Sequence, residues 1–159
     1  MGVRAGGPPA GLTPARRQVL WLLSAGLGDA ALASLTGTSV RTVRGHVAAI
    51  QVALGARTRF AAAVEATRRG WLPPGGPAGL AGAAGAAGGG PPSPLQHRIL
   101  LLLADGRRDQ AVAASTGTST RTVRRHIAAL LRLLEADTRF AAAVEATRRG
   151  WLDAGRLPY

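Results

Sequence analysis

Residues 13–72 of this chain align with residues 93–152 without a gap. Within that repeat the run TGTSxRTVRxH stands at 36–46 and again at 116–126. The closing TRFAAAVEATRRGWL is identical at 58–72 and 138–152. Self-similarity at a fixed spacing means that one supersecondary unit is used twice. A unit of about sixty residues buries only about 60% of its unfolded surface, so each copy can fold alone but marginally. The domains expected are 12–72 and 93–152, with a disordered start at 1–11, a linker at 73–92 and a tail at 153–159.

The linker reads PPGGPAGLAGAAGAAGGGPP, a composition that cannot supply a core. As a flexible coil of about twenty residues it spans roughly 22–27 Å on average.

Each copy reads as four helices. Thr13 can cap the first, with Pro14 in its first position, and Val19, Leu20, Leu22 and Leu23 give it an apolar face ending near Gly26. A short second helix is expected from about Asp29 to Leu35, followed by a tight connection that uses the backbone freedom of Gly37. Ser39 is a strong N-cap for a third helix whose core stripe is Val43, Val47, Ile50 and Leu54. The fourth begins near Thr58, turns Phe60, Ala61, Val64 and Thr67 inward and ends at Gly70, where Trp71 and Leu72 fold back. Two short helices joined by a glycine turn, the second capped by serine, form a helix-turn-helix. No alternating strand pattern occurs. The fold class expected is all-α: two tandem four-helix helix-turn-helix domains joined by a flexible Gly/Pro/Ala-rich linker.

Charge narrows the partner. The chain carries formal net charge +12 from twenty arginines, with no lysine and eight carboxylates. The first copy holds eight arginines against two carboxylates and the second ten against five, so +6 and +5 belong to the repeats. That distribution favours a polyanion. Absence of cysteine excludes a disulfide framework and a thiolate metal site. No apolar run has the length of a membrane span and residues 1–11 lack a signal-peptide core, so a cytoplasmic, nucleoid-associated protein is expected. Three scattered histidines, few carboxylates and no phosphate-cradling loop imply no enzyme, no metal, no cofactor and no small-molecule ligand. His46 and His126 fall at the edge of the third-helix core stripe, and His97, in place of Arg17, is expected on the surface. Trp71 and Trp151 read as core closers, and Trp21, opposite Leu101 in the alignment, as a packing choice.

Stepping about 100° per residue from Val43 puts Arg41, Arg44, Gly45 and Ala48 on the outward face of the third helix. In the second copy the same face holds Arg121, Arg124, Arg125 and Ala128. Arginines among small residues suit a helix entering a major groove, where a guanidinium can fork onto guanine or clamp a phosphate.

Both copies resemble the LuxR-type helix-turn-helix domain of bacterial transcription factors. The first carries Leu12-Thr13-Pro14, Val19-Leu20, Leu23, Gly26, Leu32-Ala33, Gly37, Ser39, Thr42-Val43-Arg44, His46, Leu54-Gly55-Ala56-Arg57-Thr58-Arg59 and Gly70-Trp71-Leu72. The second keeps Pro94, Ile99-Leu100, Leu103, Gly106, Val112-Ala113, Gly117, Ser119, Thr122-Val123-Arg124, His126, Leu134, Thr138-Arg139 and Gly150-Trp151-Leu152. The resemblance covers about three-quarters of the chain and implies that the third helices bind double-stranded DNA. It assigns base contacts to Arg44, Gly45, Ala48, Arg124, Arg125 and Ala128, and phosphate contacts to Thr42 and Thr122. It also makes the fourth helices a two-fold interface, through Phe60, Ala61, Val64 and Arg68 and through Phe140, Ala141, Val144 and Arg148.

The chain departs from the family pattern at several places. Ala15-Arg16 and Leu95-Gln96 stand where an acidic residue is usual, and Ala30 and Gln110 where a basic phosphate contact is usual. Ala48 and Ala128 replace a frequent basic residue, and Thr36, Thr38, Thr116 and Thr118 replace apolar side chains around the turn.

Identical fourth helices suit isologous pairing, within one chain as a pseudo-dimer or between chains. Gly45 against Arg125 predicts unequal half-sites. The expected function is a bacterial transcriptional regulator. The alternatives are a protein-interaction module that modulates related regulators and a nonspecific nucleoid-type DNA binder.

Overall fold

The computed structural model describes residues 11–72 and 90–153. Most of the expected disordered start, most of the linker and most of the tail lie outside the described residues. Eight helices follow in order: α1 (Pro14–Ser24), α2 (Asp29–Thr36), α3 (Val40–Leu54), α4 (Arg59–Arg68), α5 (Pro94–Ala104), α6 (Asp109–Thr116), α7 (Thr120–Leu133) and α8 (Arg139–Arg148). No strand occurs among the described residues, so the fold is all-α. No single described helix is long and apolar enough to cross a membrane.

Local sequence sets each boundary. The Thr13 hydroxyl accepts from the Arg16 amide at 3.4 Å, and Pro14 opens α1. At α5 the cap is reciprocal: Ser93 Oγ accepts from the Gln96 amide at 3.3 Å while Gln96 Oε1 accepts from the Ser93 amide at 2.8 Å. Helices α2 and α6 end at Gly37 and Gly117, whose φ values of 64° and 66° are left-handed and suit glycine. Thr58 and Thr138 cap α4 and α8 by accepting from the Ala61 and Ala141 amides, each at 3.2 Å.

In each repeat the first three helices enclose an apolar centre that the fourth helix and a closing leucine complete. Leu20, Leu32, Val43 and Ile50 in the first copy, and Leu100, Val112, Val123 and Leu130 in the second, are almost wholly withdrawn from water. Pro92, aligned with the buried Leu12, is buried as well.

The two repeats share one contiguous buried apolar cluster, and α4 packs more extensively on α8 than any other helix pair packs. Phe60, Ala62, Ala63, Val64 and Ala66 are buried on α4, and the matching five residues on α8. At about 100° per residue these cover more than half of the helix circumference, because one side meets its own repeat and the other meets the second repeat. Alanine suits such a wedge: it has the best helix propensity and lets two backbones come close. Ala61 and Thr67, expected inward with Phe60 and Val64, are half-buried.

The contact is reciprocal. A methyl group on Gly26 would stand 3.6 Å from Cβ of Asp137 and 3.8 Å from Cβ of Ala141. One on Gly106 would stand 3.4 Å from Cβ of Arg57 and 3.9 Å from Cβ of Ala61. Each first-helix turn therefore docks at the start of the other repeat's fourth helix, as an isologous arrangement requires.

Two expectations change. His97 is buried, 5% exposed, with Nε2 2.8 Å from the carbonyl of Trp151. The chain turning back after α8 covers this part of α5 and supplies a backbone acceptor for the imidazole N–H. Trp21 is 37% exposed, so its indole lies at the edge of the packing rather than within it. Trp71 and Trp151 do pack on the core, with the guanidinium carbons of Arg69 and Arg149 5.5 and 5.4 Å from their ring centroids.

Candidate nucleic-acid interface

The turn before α3 fixes which way that helix faces. Gly37 reverses the chain, and Ser39 Oγ then accepts from the Thr42 amide at 3.1 Å while lying 2.9 Å from Thr42 Oγ1. In the second copy Ser119 repeats these contacts to Thr122 at 3.1 and 3.0 Å. The threonines that stand in place of apolar turn residues bond each other instead. Thr36 Oγ1 donates to the Leu32 carbonyl at 2.7 Å and lies 2.9 Å from Thr38 Oγ1. Thr116 does the same with Val112 and Thr118 at 2.8 and 3.0 Å.

With Val43, Val47 and Ile50 buried, the remaining arc of α3 faces outward. Arg41, Thr42, Arg44, Gly45 and Ala48 are all exposed. On α7, Arg121, Arg124, Arg125 and Ala128 are exposed and Thr122 is half-buried. The outward face read from helical periodicity is thus the solvent face. His46 and His126 are half-buried at its edge. The hydroxyls of Thr42 and Thr122, assigned to phosphate by the resemblance, are engaged with the serine caps.

The sequence reading missed Asp29 and Asp109. Asp29, in the first turn of α2, receives Arg59 Nη1 on Oδ1 at 2.7 Å and Arg59 Nη2 on Oδ2 at 3.0 Å. Arg44 Nε joins Oδ2 at 3.2 Å. Asp109 is held the same way by Arg139 at 2.6 and 2.9 Å and by Arg124 Nε at 3.3 Å. Three helices are tied at one carboxylate in each repeat. The hydrogen-bonded Arg59 guanidinium holds the Asp29 carboxyl below its usual range; burial opposes this and Arg44 adds to it. Arg139 and Arg124 act likewise on Asp109, which in turn raises Arg139. The carboxylates stay ionised and reduce the positive charge of the face without removing it.

The interface residues expected on the fourth helices are brought together in part by direct contacts. Ala61 and Ala141 stand against the opposite repeat's glycine turn, and Arg68 Nη2 donates to the Leu152 carbonyl at 2.6 Å. Val64 and Val144 are buried in the shared cluster. Phe60 and Phe140 line a cleft of about 710 Å³ between the repeats, together with Leu23 and Leu103. Arg59, Arg107, Arg108, Arg124 and Arg139 also line it, with Asp109 as its one carboxylate, so the ground between the repeats is positive too. Among the described residues no three side chains of His, Asp or Glu gather as metal ligands would.

No family model, no curated protein and no solved structure matches the chain.

Proposed function

We propose that the chain is a bacterial transcriptional regulator that binds double-stranded DNA as a single-chain pseudo-dimer of two LuxR-type helix-turn-helix units. One observation carries the reading. Each repeat exposes an arginine-bearing face on a serine-capped helix that follows a left-handed glycine, and the two repeats pack through fourth helices of identical sequence. Paired reading heads read paired half-sites, whose centres lie about 34–36 Å apart when they are one helical turn apart. Arg44, Arg124 and Arg125 are the base-reading side chains in this reading. Arg41 and Arg121, exposed one turn earlier in the helix, serve the phosphates. Gly45 opposite Arg125 makes the half-sites unequal, the second copy binding harder.

The reading is tested by selecting sites from a random duplex library at about 150 mM salt, where nonspecific phosphate binding is weakened. Wild type is compared with Arg44→Ala/Arg124→Ala/Arg125→Ala. A two-part site enriched by wild type alone is the expected result. Equal retention of unselected duplex by both proteins would point to nonspecific coating. Little retention by either would point to a protein-interaction module.

A further inference from the structure

We infer that Asp29 and Asp109 are positioning residues for sequence readout, each holding its arginine by Nε so that the two Nη groups are presented outward to a guanine edge. The inference rests on the DNA-binding reading above and adds to it the source of base selectivity.

The three-way contact divides the arginines into two kinds. Arg59 spends both Nη groups on Asp29, so the fork that would grip a phosphate or base is consumed. Arg44 meets the same carboxylate through Nε and its side chain remains 69% exposed. Arg139 and Arg124 divide identically around Asp109, with Arg124 70% exposed. The Nη pair is the edge that matches O6 and N7 of guanine. Asp29 and Asp109 themselves are only 18% and 16% exposed, beneath the arginines they hold.

Comparison of the copies supports a role beyond surface charge balance. Where the first copy has Leu27, Gly28, Ala30 and Gly45, the second has Arg107, Arg108, Gln110 and Arg125. The Asp and both of its arginines are kept. A long exposed arginine samples many rotamers, and one free to swing serves any phosphate it reaches. A guanidinium held at Nε has fewer orientations to lose on binding, and a misplaced base leaves it without an acceptor. The carboxylate also lowers the generic attraction to phosphate. Both effects widen the gap between the right site and random duplex.

The test applies library selection and thermal unfolding to the full chain as wild type, as Asp29→Asn/Asp109→Asn, and as Val47→Ala/Ile127→Val. The last destabilises α3 and α7 from the core without touching the aspartates. The expected result for the Asn variant is a guanine preference reduced about fivefold or more at the base under each held arginine. Its affinity for random duplex rises at the same time. The core variant loses stability and keeps the preference. Unchanged base preferences in the Asn variant, or equal loss in the core variant, overturn the inference. If the double Asn variant does not fold, Asp29→Asn alone is read at its own half-site against the half-site of the intact second repeat. A wild-type chain that enriches no site overturns the DNA reading and this inference together. A wild-type site that survives Asp29→Asn/Asp109→Asn unaltered overturns this inference alone.

Discussion

Arg68 of the first repeat donates through Nη2 to the backbone carbonyl of Leu152, 2.6 Å away, so one fourth helix holds the closing residue of the other copy. Leu152 is 1% exposed, and its place in the shared cluster depends on where that closing turn is held. Arg68→Ala removes a charge-assisted bond across the repeat interface. Because the arginine is exposed, a cost at the low end for such bonds, about 1.5 kcal/mol, is expected. Urea denaturation of the full chain reads it as a lower midpoint with an unchanged slope. No shift in midpoint would mean that this bond does not tie the repeats in solution.

Ser39 and Ser119 cap α3 and α7, and removal of these caps has a predictable size. Ser39→Ala and Ser119→Ala each leave a helix-start amide without its acceptor and are expected to cost about 1 kcal/mol. Ser39→Asp, which keeps an acceptor oxygen at the positive end of the helix, is expected to fall close to wild type. Thermal unfolding of the three variants decides this. Equal losses in the alanine and aspartate variants would show that the hydroxyl pairing with Thr42, rather than the cap itself, is what matters.

Much of this arrangement is legible in the sequence because its causes are local. Thr13 before Pro14, Gly37 two residues before Ser39, and Thr58 before an alanine-rich run each announce a helix boundary within a few residues of the atoms involved. The outward face of α3 follows from helical rotation alone, so Arg41, Arg44, Gly45 and Ala48 come out correctly. Asp29 is invisible to such rules, since its partners lie 15 and 30 residues away on two other helices. A signal existed: the first copy has only two carboxylates, Asp29 and Glu65, and both are kept in the second as Asp109 and Glu145. Glu65 pairs with Arg69 one turn on, at 2.6 Å, within the same helix. The burial of His97 left no signal of this kind, because its partner is a backbone carbonyl that any residue at position 151 would supply.

Acid should weaken the fold through the Asp29 and Asp109 clusters. Both carboxyls are held below the ordinary aspartate value of 3.8 by their arginines. A depressed folded-state value means that the stabilisation is fully present above the unfolded value and is lost as the pH falls through the folded one. Asp29→Asn/Asp109→Asn should therefore be less stable than wild type at neutral pH, with the gap closing only below about pH 3.8. Urea midpoints measured from pH 7 down to about 3 test this. A gap that closes well above pH 4 would mean that other groups control the acid transition.

The two third helices end differently for one reason that can be tested in both directions. Gly55 follows α3 with φ 65°, and Glu135, at the matching place after α7, is held at φ 52°. The closure is the same in both copies, with the next amide returning to the helix at 2.9 Å, from Ala56 to Gln51 and from Ala136 to Leu131. An L-residue in this left-handed region costs roughly 1–2 kcal/mol. Glycine removes that cost but gives back roughly 0.4–1 kcal/mol through a freer unfolded chain. Glu135→Gly also takes a negative charge away from the negative end of α7, which acts in the same direction. A net gain of about 1 kcal/mol is expected for Glu135→Gly. A Cβ at Gly55 would meet nothing within 4 Å, so Gly55→Glu should show backbone strain and end charge alone and lose a similar amount. Opposite shifts of the thermal midpoint in the two variants are the expected result. A Glu135→Gly variant less stable than wild type would mean that the glutamate makes a compensating contact on the folded surface.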